Sequence, residues 1–284
     1  MNDAETRRRF ERFLRWTIEV EYPAHARFLP AGEREAFGDY YRSLPKPDDR
    51  RGIARLLRGG WRGDAGWTAR WLGARERPVV LDAGSGFGTF AMLYAAVGAE
   101  VLAVDLRPDR LSAAEKRLVF HHETTGESLP VTHLRADLTR DWPRPVDLVW
   151  VYNAISHIDP LDPFIAQVRE HLRPGGVLVV ADINGANPRH LERLSHVRVE
   201  VHQEYVAPDG QRHTYAVERT FSPHELREVM ERNGLRILHH EVYFGGLAAL
   251  PDPIYHGMAA PLQRQWRLGG RRARRQLVVA GRAG

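Results

Sequence analysis

The chain has 284 residues and no cysteine. That excludes disulfides, a thiolate metal site and a cysteine nucleophile. Lysine is nearly as scarce: Lys46 and Lys116 are the only two, so the formal charge of +5 rests on arginine. Long apolar runs are also missing; none approaches the roughly 20 residues that a membrane span requires. The N-terminus, MNDAETRRRFERF, has arginines with no apolar stretch behind them, and no secretion signal is read there. A cytoplasmic setting is the expectation. What is present is ordinary for a globular protein, 43% hydrophobic and 27% charged residues. A basic balance raises a nucleic-acid partner. The arginines are dispersed, however, apart from Arg7-Arg8-Arg9 and the 271–275 run, and charge runs are usually solvated, so no nucleic-acid partner is expected.

The stretch from Pro78 to Asp105, PVVLDAGSGFGTFAMLYAAVGAEVLAVD, organises the rest. A short apolar run ends on Asp82 and is followed by Gly84, Gly86 and Gly88. Phe90, Leu93, Tyr94 and Val97 then recur at helical spacing, with Gly98 placed to stop the helix. A second apolar run, Val101 to Val104, ends on Asp105. This is a βαβ unit. Glycines in its turn let backbone approach a ligand, and the helix behind presents free N–H groups and a positive dipole end. A dinucleotide site wants G-x-G-x-x-G. Here the spacing is G-x-G-x-G, and Asp82 stands where a pyrophosphate would be repelled. A cationic ammonium or sulfonium would be favoured by its charge.

The segment resembles the first motif of class I S-adenosylmethionine-dependent methyltransferases, and the resemblance continues in order. Asp105 is similar to the acid that ends the second strand, and Ala136-Asp137-Leu138 to the motif after the third. DLVWVYNAISHI (Asp147 to Ile158) resembles the fourth strand and its loop. LRPGGVLVVAD (Leu172 to Asp182) resembles the helix end, turn and fifth strand. The resemblance implies an α/β, doubly wound, Rossmann-like sheet of seven strands whose last strand, near Gln276 to Val279, is antiparallel. It also implies S-adenosyl-L-methionine as methyl donor. On this resemblance Asp82, Gly84, Gly86 and Gly88 hold the amino-acid end of the donor. Asp105 with Leu106 holds the ribose, Asp137 and the Leu138 N–H read the adenine, and Asn153 lies by the methionine part.

Outside that core, Phe10, Phe13, Leu14 and Ile18 predict an amphipathic helix that ends before Pro23. The first 71 residues hold 11 of the 26 aromatic residues. They are therefore expected to form an N-terminal helical cap over residues 1–70, with Tyr22, Tyr40 and Tyr41 as candidate acceptor contacts. Residues 71–284 are expected to form the catalytic domain. Val197, Val199 and Val201 alternate, Pro208-Asp209-Gly210 reads as a turn, and Tyr215, Val217 and Arg219 alternate again. That predicts a hairpin inserted at about 195–220. Ser222-Pro223-His224-Glu225 has capping-box spacing.

Methyl transfer from a sulfonium is a displacement in which alignment supplies much of the rate, about 7–11 kcal/mol in favourable cases. It needs no metal, and none is expected. A hydroxyl acceptor must lose a proton, and His157, in the loop after the fourth strand, is the candidate base. Asp182 and Asn184 follow the fifth strand as the next candidates, for catalysis and acceptor binding respectively. The function expected is methylation of a small-molecule acceptor, at oxygen in the first instance. RNA methylation and donor binding without turnover stand as alternatives, and nicotinamide chemistry is disfavoured by the glycine spacing. Oligomeric state is not legible.

Overall fold

The computed structural model of the protein describes residues 1–189, 192, 202–206, 212–216, 219–244, 249–261 and 273–282. They fold as two compact units, Met1–Arg135 and Ala136–Gly284.

The first unit opens with helices. α1 (Asp3–Trp16) starts where the Asn2 side chain accepts the Glu5 N–H, and buries Phe10, Phe13 and Trp16 along one face. It runs into a π turn, Thr17–Glu21, and then α2 (Tyr22–Ala24). The expected stop before Pro23 is therefore corrected. Pro23 sits in the first turn of α2, where a missing N–H leaves no intrahelical bond unmade. α3 (Ala31–Tyr41), α4 (Arg50–Arg62) and α5 (Asp64–Gly73) complete the helical cap. α4 is strongly amphipathic: Ile53, Leu57 and Trp61 are buried, while Arg50, Arg51 and Arg55 face outward.

β1 (Val79–Ala83), α6 (Thr89–Ala96), β2 (Glu100–Asp105), α7 (Pro108–Thr125) and β3 (Val131–Arg135) then alternate. The strands lie in the order β3-β2-β1 and pair in parallel, Asp82 opposite Ala103 and Asp105 opposite Arg135. All five residues of β1 are buried, as expected of a parallel strand covered on both faces.

The second unit holds β4 (Val146–Tyr152), α8 (Leu161–His171) and β5 (Leu172–Ile183). After them come β6 (His202–Val206), β7 (Arg212–Ala216), α9 (Pro223–Arg232), β8 (Leu235–Tyr243) and β9 (Arg275–Arg282). Here the order is β4-β5-β9-β8, with β4 and β5 parallel and β9 antiparallel to both its neighbours. The seven strands make the doubly wound, Rossmann-like class with an antiparallel last strand. The capping box forms in both directions, Ser222 Oγ accepting the Glu225 N–H and Glu225 accepting the Ser222 N–H.

The inserted hairpin is β6 paired antiparallel with β7, from His202 opposite Ala216 to Val206 opposite Arg212. Val197, Val199, Val201, Val217 and the Pro208-Asp209-Gly210 turn lie outside the described residues. Arg219 is not in the strand. Its guanidinium donates to the Ile158 carbonyl at 2.7 Å and to Asp159 at 3.1 Å.

The first turn of α5 comes closest to the backbone of α4. A Cβ on Gly66 would lie 1.9 Å from the Trp61 carbonyl oxygen, which no rotamer change can relieve. Gly66→Ala is expected to destabilise the protein by about 1–3 kcal/mol, the usual cost of overpacking, read as a lower melting temperature. An unchanged melt would contradict the close approach.

Candidate active site

The expected site residues divide between the two units.

In the first, Asp82 is the penultimate residue of β1 and Asp105 the last of β2, and the glycine turn follows β1. Gly84, Gly86 and Gly88 have φ of 70°, 53° and 74°. This left-handed backbone is strained for any side-chain-bearing residue. At Gly86 a Cβ would meet nothing within 4 Å, so the backbone there borders open space. The turn is tied to Asp105: the Gly86 N–H donates to Oδ2 at 2.8 Å and the Arg107 N–H to Oδ1 at 2.9 Å. Each oxygen keeps acceptor capacity for a ligand hydroxyl. Leu106 lies between these two anchors, in the bend that follows β2.

Asp82 is only 2% exposed, and its Oδ2 is buried with no hydrogen-bond partner among the described residues. Burial pushes its carboxyl up to about 8, and the neighbouring Asp105 adds to the rise; the Ala91 N–H opposes it. Asp105 is itself raised, chiefly by burial, against the pull of the Arg107 and Gly86 N–H groups. A buried carboxyl with an oxygen unmatched, beside a second, half-buried one, forms a site that a cation would complete.

In the second unit, Asp137 Oδ1 accepts from the Thr139 N–H at 3.0 Å and the Thr139 hydroxyl at 2.7 Å. Leu138 is buried, and its carbonyl accepts the Trp142 indole N–H at 2.7 Å. Asn153 stands at the end of β4 with φ 49°, a left-handed conformation that asparagine tolerates better than most. It is held there by its N–H to the Ala181 carbonyl at 3.0 Å, and by its Oδ1, which accepts from Arg275 at 3.0 Å.

Arg275 also stacks over the Tyr152 ring at 4.4 Å. Sequence reasoning missed it, reading the 271–275 run as solvated charge. Its position at the start of an antiparallel strand, opposite Ile183 of β5, was the available signal.

Asp182 is 5% exposed with an unpartnered Oδ2 among the described residues. Burial raises its pKa. The Ile183 N–H, Arg275 and His157 pull the other way, so an imidazolium at His157 is close enough to favour the carboxylate. His157 itself is exposed, in a short 3-10 turn, Ile155–His157.

The remaining candidates are placed less openly. Asn184 is fully buried; its Nδ2 donates to the Ala273 carbonyl at 3.0 Å and its Oδ1 accepts the Ala186 N–H at 3.0 Å. Tyr41 is buried among Leu29, Phe37 and Phe87, and its hydroxyl accepts from Arg117 at 3.3 Å. Burial raises its pKa. Tyr22 is half-buried and stacked on His25, and Tyr40 is 53% exposed with its ring 5.9 Å from Phe87. Of the three tyrosines, Tyr40 presents the most surface to an acceptor.

A family model described as a methyltransferase domain matches residues 81–178, from β1 through the start of β5. Over those residues the chain is similar to a methyltransferase domain. A ubiquinone biosynthesis O-methyltransferase of Brucella anthropi is 26% identical over 159 residues, 56% of this chain and 60% of that protein. One of Roseobacter denitrificans is 25% identical over 195 residues, 68% of each. The chain thus spans about three-fifths to two-thirds of these relatives. The crystal structure of an S-adenosylmethionine-dependent methyltransferase from Clostridium acetobutylicum superimposes with a TM-score of 0.54 at 17% identity. It covers 88% of this chain and 99% of that one, a likeness of fold.

The burial of Asp82 can be tested by pH. A carboxyl raised in the folded state binds its proton more tightly there than in the unfolded chain. The contribution of Asp82 to the stability of the free protein therefore falls as pH rises from about 4 to about 8 and is level outside that window. Asp82→Asn should flatten that fall and raise the melting temperature at pH 8, while weakening S-adenosylmethionine binding about tenfold or more. A variant with the parental pH profile would contradict the buried, uncompensated carboxyl.

Proposed function

We propose that the protein is an S-adenosylmethionine-dependent methyltransferase that methylates a hydroxyl of a small-molecule acceptor. The observation that carries this reading is the buried, unmatched Asp82 carboxylate beside a left-handed glycine turn. The names of the curated relatives favour oxygen as the acceptor atom.

The donor supplies a methyl group already activated on a positively charged sulfur. The chain's task is then placement and proton handling. Asp82 attracts the cationic end. Gly84, Gly86 and Gly88 give the backbone close access. Asp105, steadied by two N–H groups, accepts the ribose hydroxyls. Asp137 and the Leu138 N–H take the adenine edge, and Asn153 borders the methionine part. His157 takes the acceptor proton, and Asp182 stabilises the imidazolium that results. Tyr22 and Tyr40 are proposed to line the acceptor side. Tyr41 and Asn184 bear on it through the packing they hold, since their polar groups are already bonded.

Among the described residues no helix is long and apolar enough to cross a membrane. The cytoplasmic setting belongs to this proposal and is checked by fractionation.

Transfer of labelled methyl from S-adenosylmethionine to a panel of phenols, other hydroxylated compounds, amines and total RNA tests the reading. Labelling of a hydroxylated small molecule is expected. His157→Ala should lower turnover by about 10²-fold or more, the usual scale of general-base catalysis, with donor affinity unchanged. Unchanged turnover would remove His157 as the base, and labelling of RNA alone would overturn the acceptor class.

A further inference from the structure

Arg117, on α7, is 0% exposed and sits in a network that the chemistry above does not use. Its fork is bidentate on Glu21, Nε to Oε1 and Nη2 to Oε2, both at 2.7 Å. Its remaining nitrogen, Nη1, donates to the Phe87 carbonyl, to the Thr89 hydroxyl at 2.7 Å and to the Tyr41 hydroxyl at 3.3 Å. Phe87 lies between Gly86 and Gly88, and Thr89 opens α6. Glu21 is the last residue of the π turn and is also 0% exposed. A π turn shifts the face on which the following side chains emerge, and such turns recur at functional sites.

One guanidinium therefore grips a carboxylate of the N-terminal helices with one edge and the backbone of the glycine turn with the other. An apolar contact runs alongside. Phe87 packs edge-on against Phe37 of α3 at 5.5 Å, in a cluster that includes Leu29 and Tyr41. A buried ion pair of this kind is weak as a source of stability, because desolvation of both charges offsets their attraction. Its value lies in geometry. The Phe87 peptide is held from behind, and its orientation fixes the turn whose N–H at Gly86 meets Asp105.

We propose that Arg117 is a positioning residue through which the N-terminal helices set the shape of the glycine turn, so that donor binding and ordering of the Thr17–Ala24 segment are one coupled equilibrium. This rests on the donor site described above. Coupling of this kind is reciprocal: whatever the helices contribute to donor affinity, the donor returns to the order of the helices.

Two measurements test it. The first replaces the ion pair by packing, Glu21→Met with Arg117→Met. The double variant should melt near the parental temperature without donor, yet bind S-adenosylmethionine and S-adenosylhomocysteine at least about tenfold more weakly, or 1.4 kcal/mol. A folded double variant with parental affinity would overturn the proposal. The second uses the parent protein and stands whether or not that variant folds. Saturating S-adenosylhomocysteine should slow amide hydrogen exchange at Thr17–Ala24 and Ala31–Tyr41 as well as at Asp82–Ala96. Protection confined to Asp82–Ala96 would overturn the coupling. A parent that takes up neither compound would instead sink the donor site, and this proposal with it.

Discussion

The structure turns on two carboxylates that a fold should avoid placing together. Asp82 and Asp105 lie at the carboxyl ends of neighbouring parallel strands, Asp82 buried and Asp105 half-buried, and the Asp105 charge makes Asp82 harder to ionise. Asp105 is compensated by two backbone N–H groups, one of them from the glycine turn. Asp82 is left with an oxygen unmatched. The left-handed glycines follow from this arrangement, since the chain must double back tightly enough for Gly86 to reach Asp105. Local stability is given up at a place where a cationic ligand would restore it.

The second unit repeats the motif in a milder form. Asp182 also ends a strand and is also buried, but Arg275 from the antiparallel last strand and His157 from the loop after β4 temper its charge. Arg275 joins the pieces: it bonds Asn153, stacks on Tyr152 and faces Asp182. The backbone of Asn153 could not easily rest at φ 49° without that hold. The last strand thus does more than complete a sheet edge. It delivers the cation that keeps the β4 loop in place.

Much of this was legible in the chain because it is local. The run LDAGSGFGT carries its strand end, turn and helix start within nine consecutive residues, and β4 announces itself as an apolar run over Val146–Tyr152 interrupted only by Asp147. The capping box at Ser222 and Glu225 is equally local. What escaped was long-range. Arg117 and Glu21 lie 96 residues apart, and Arg275 and Asn153 lie 122 apart. Nothing in a helix that reads as amphipathic marks one arginine as buried, because its partner's position depends on a π turn that spacing does not reveal. Tyr41 and Asn184, read as acceptor contacts, have polar groups bonded to residues far away in the chain, Arg117 and Ala273, which spacing does not reveal. Pro23 shows the converse, a local breaker signal overridden by its place in a first helical turn.

The central claim is that Asp82 is held protonated near neutral pH until a cation arrives. Calorimetric titration with S-adenosylmethionine at pH 7, repeated in buffers of differing ionisation enthalpy, counts the protons exchanged on binding. A carboxyl raised to about 8 in the free protein should release its proton to the buffer as the positively charged donor binds. Binding without proton release would contradict a raised Asp82, and uptake of a nicotinamide dinucleotide in place of the donor would contradict the site itself.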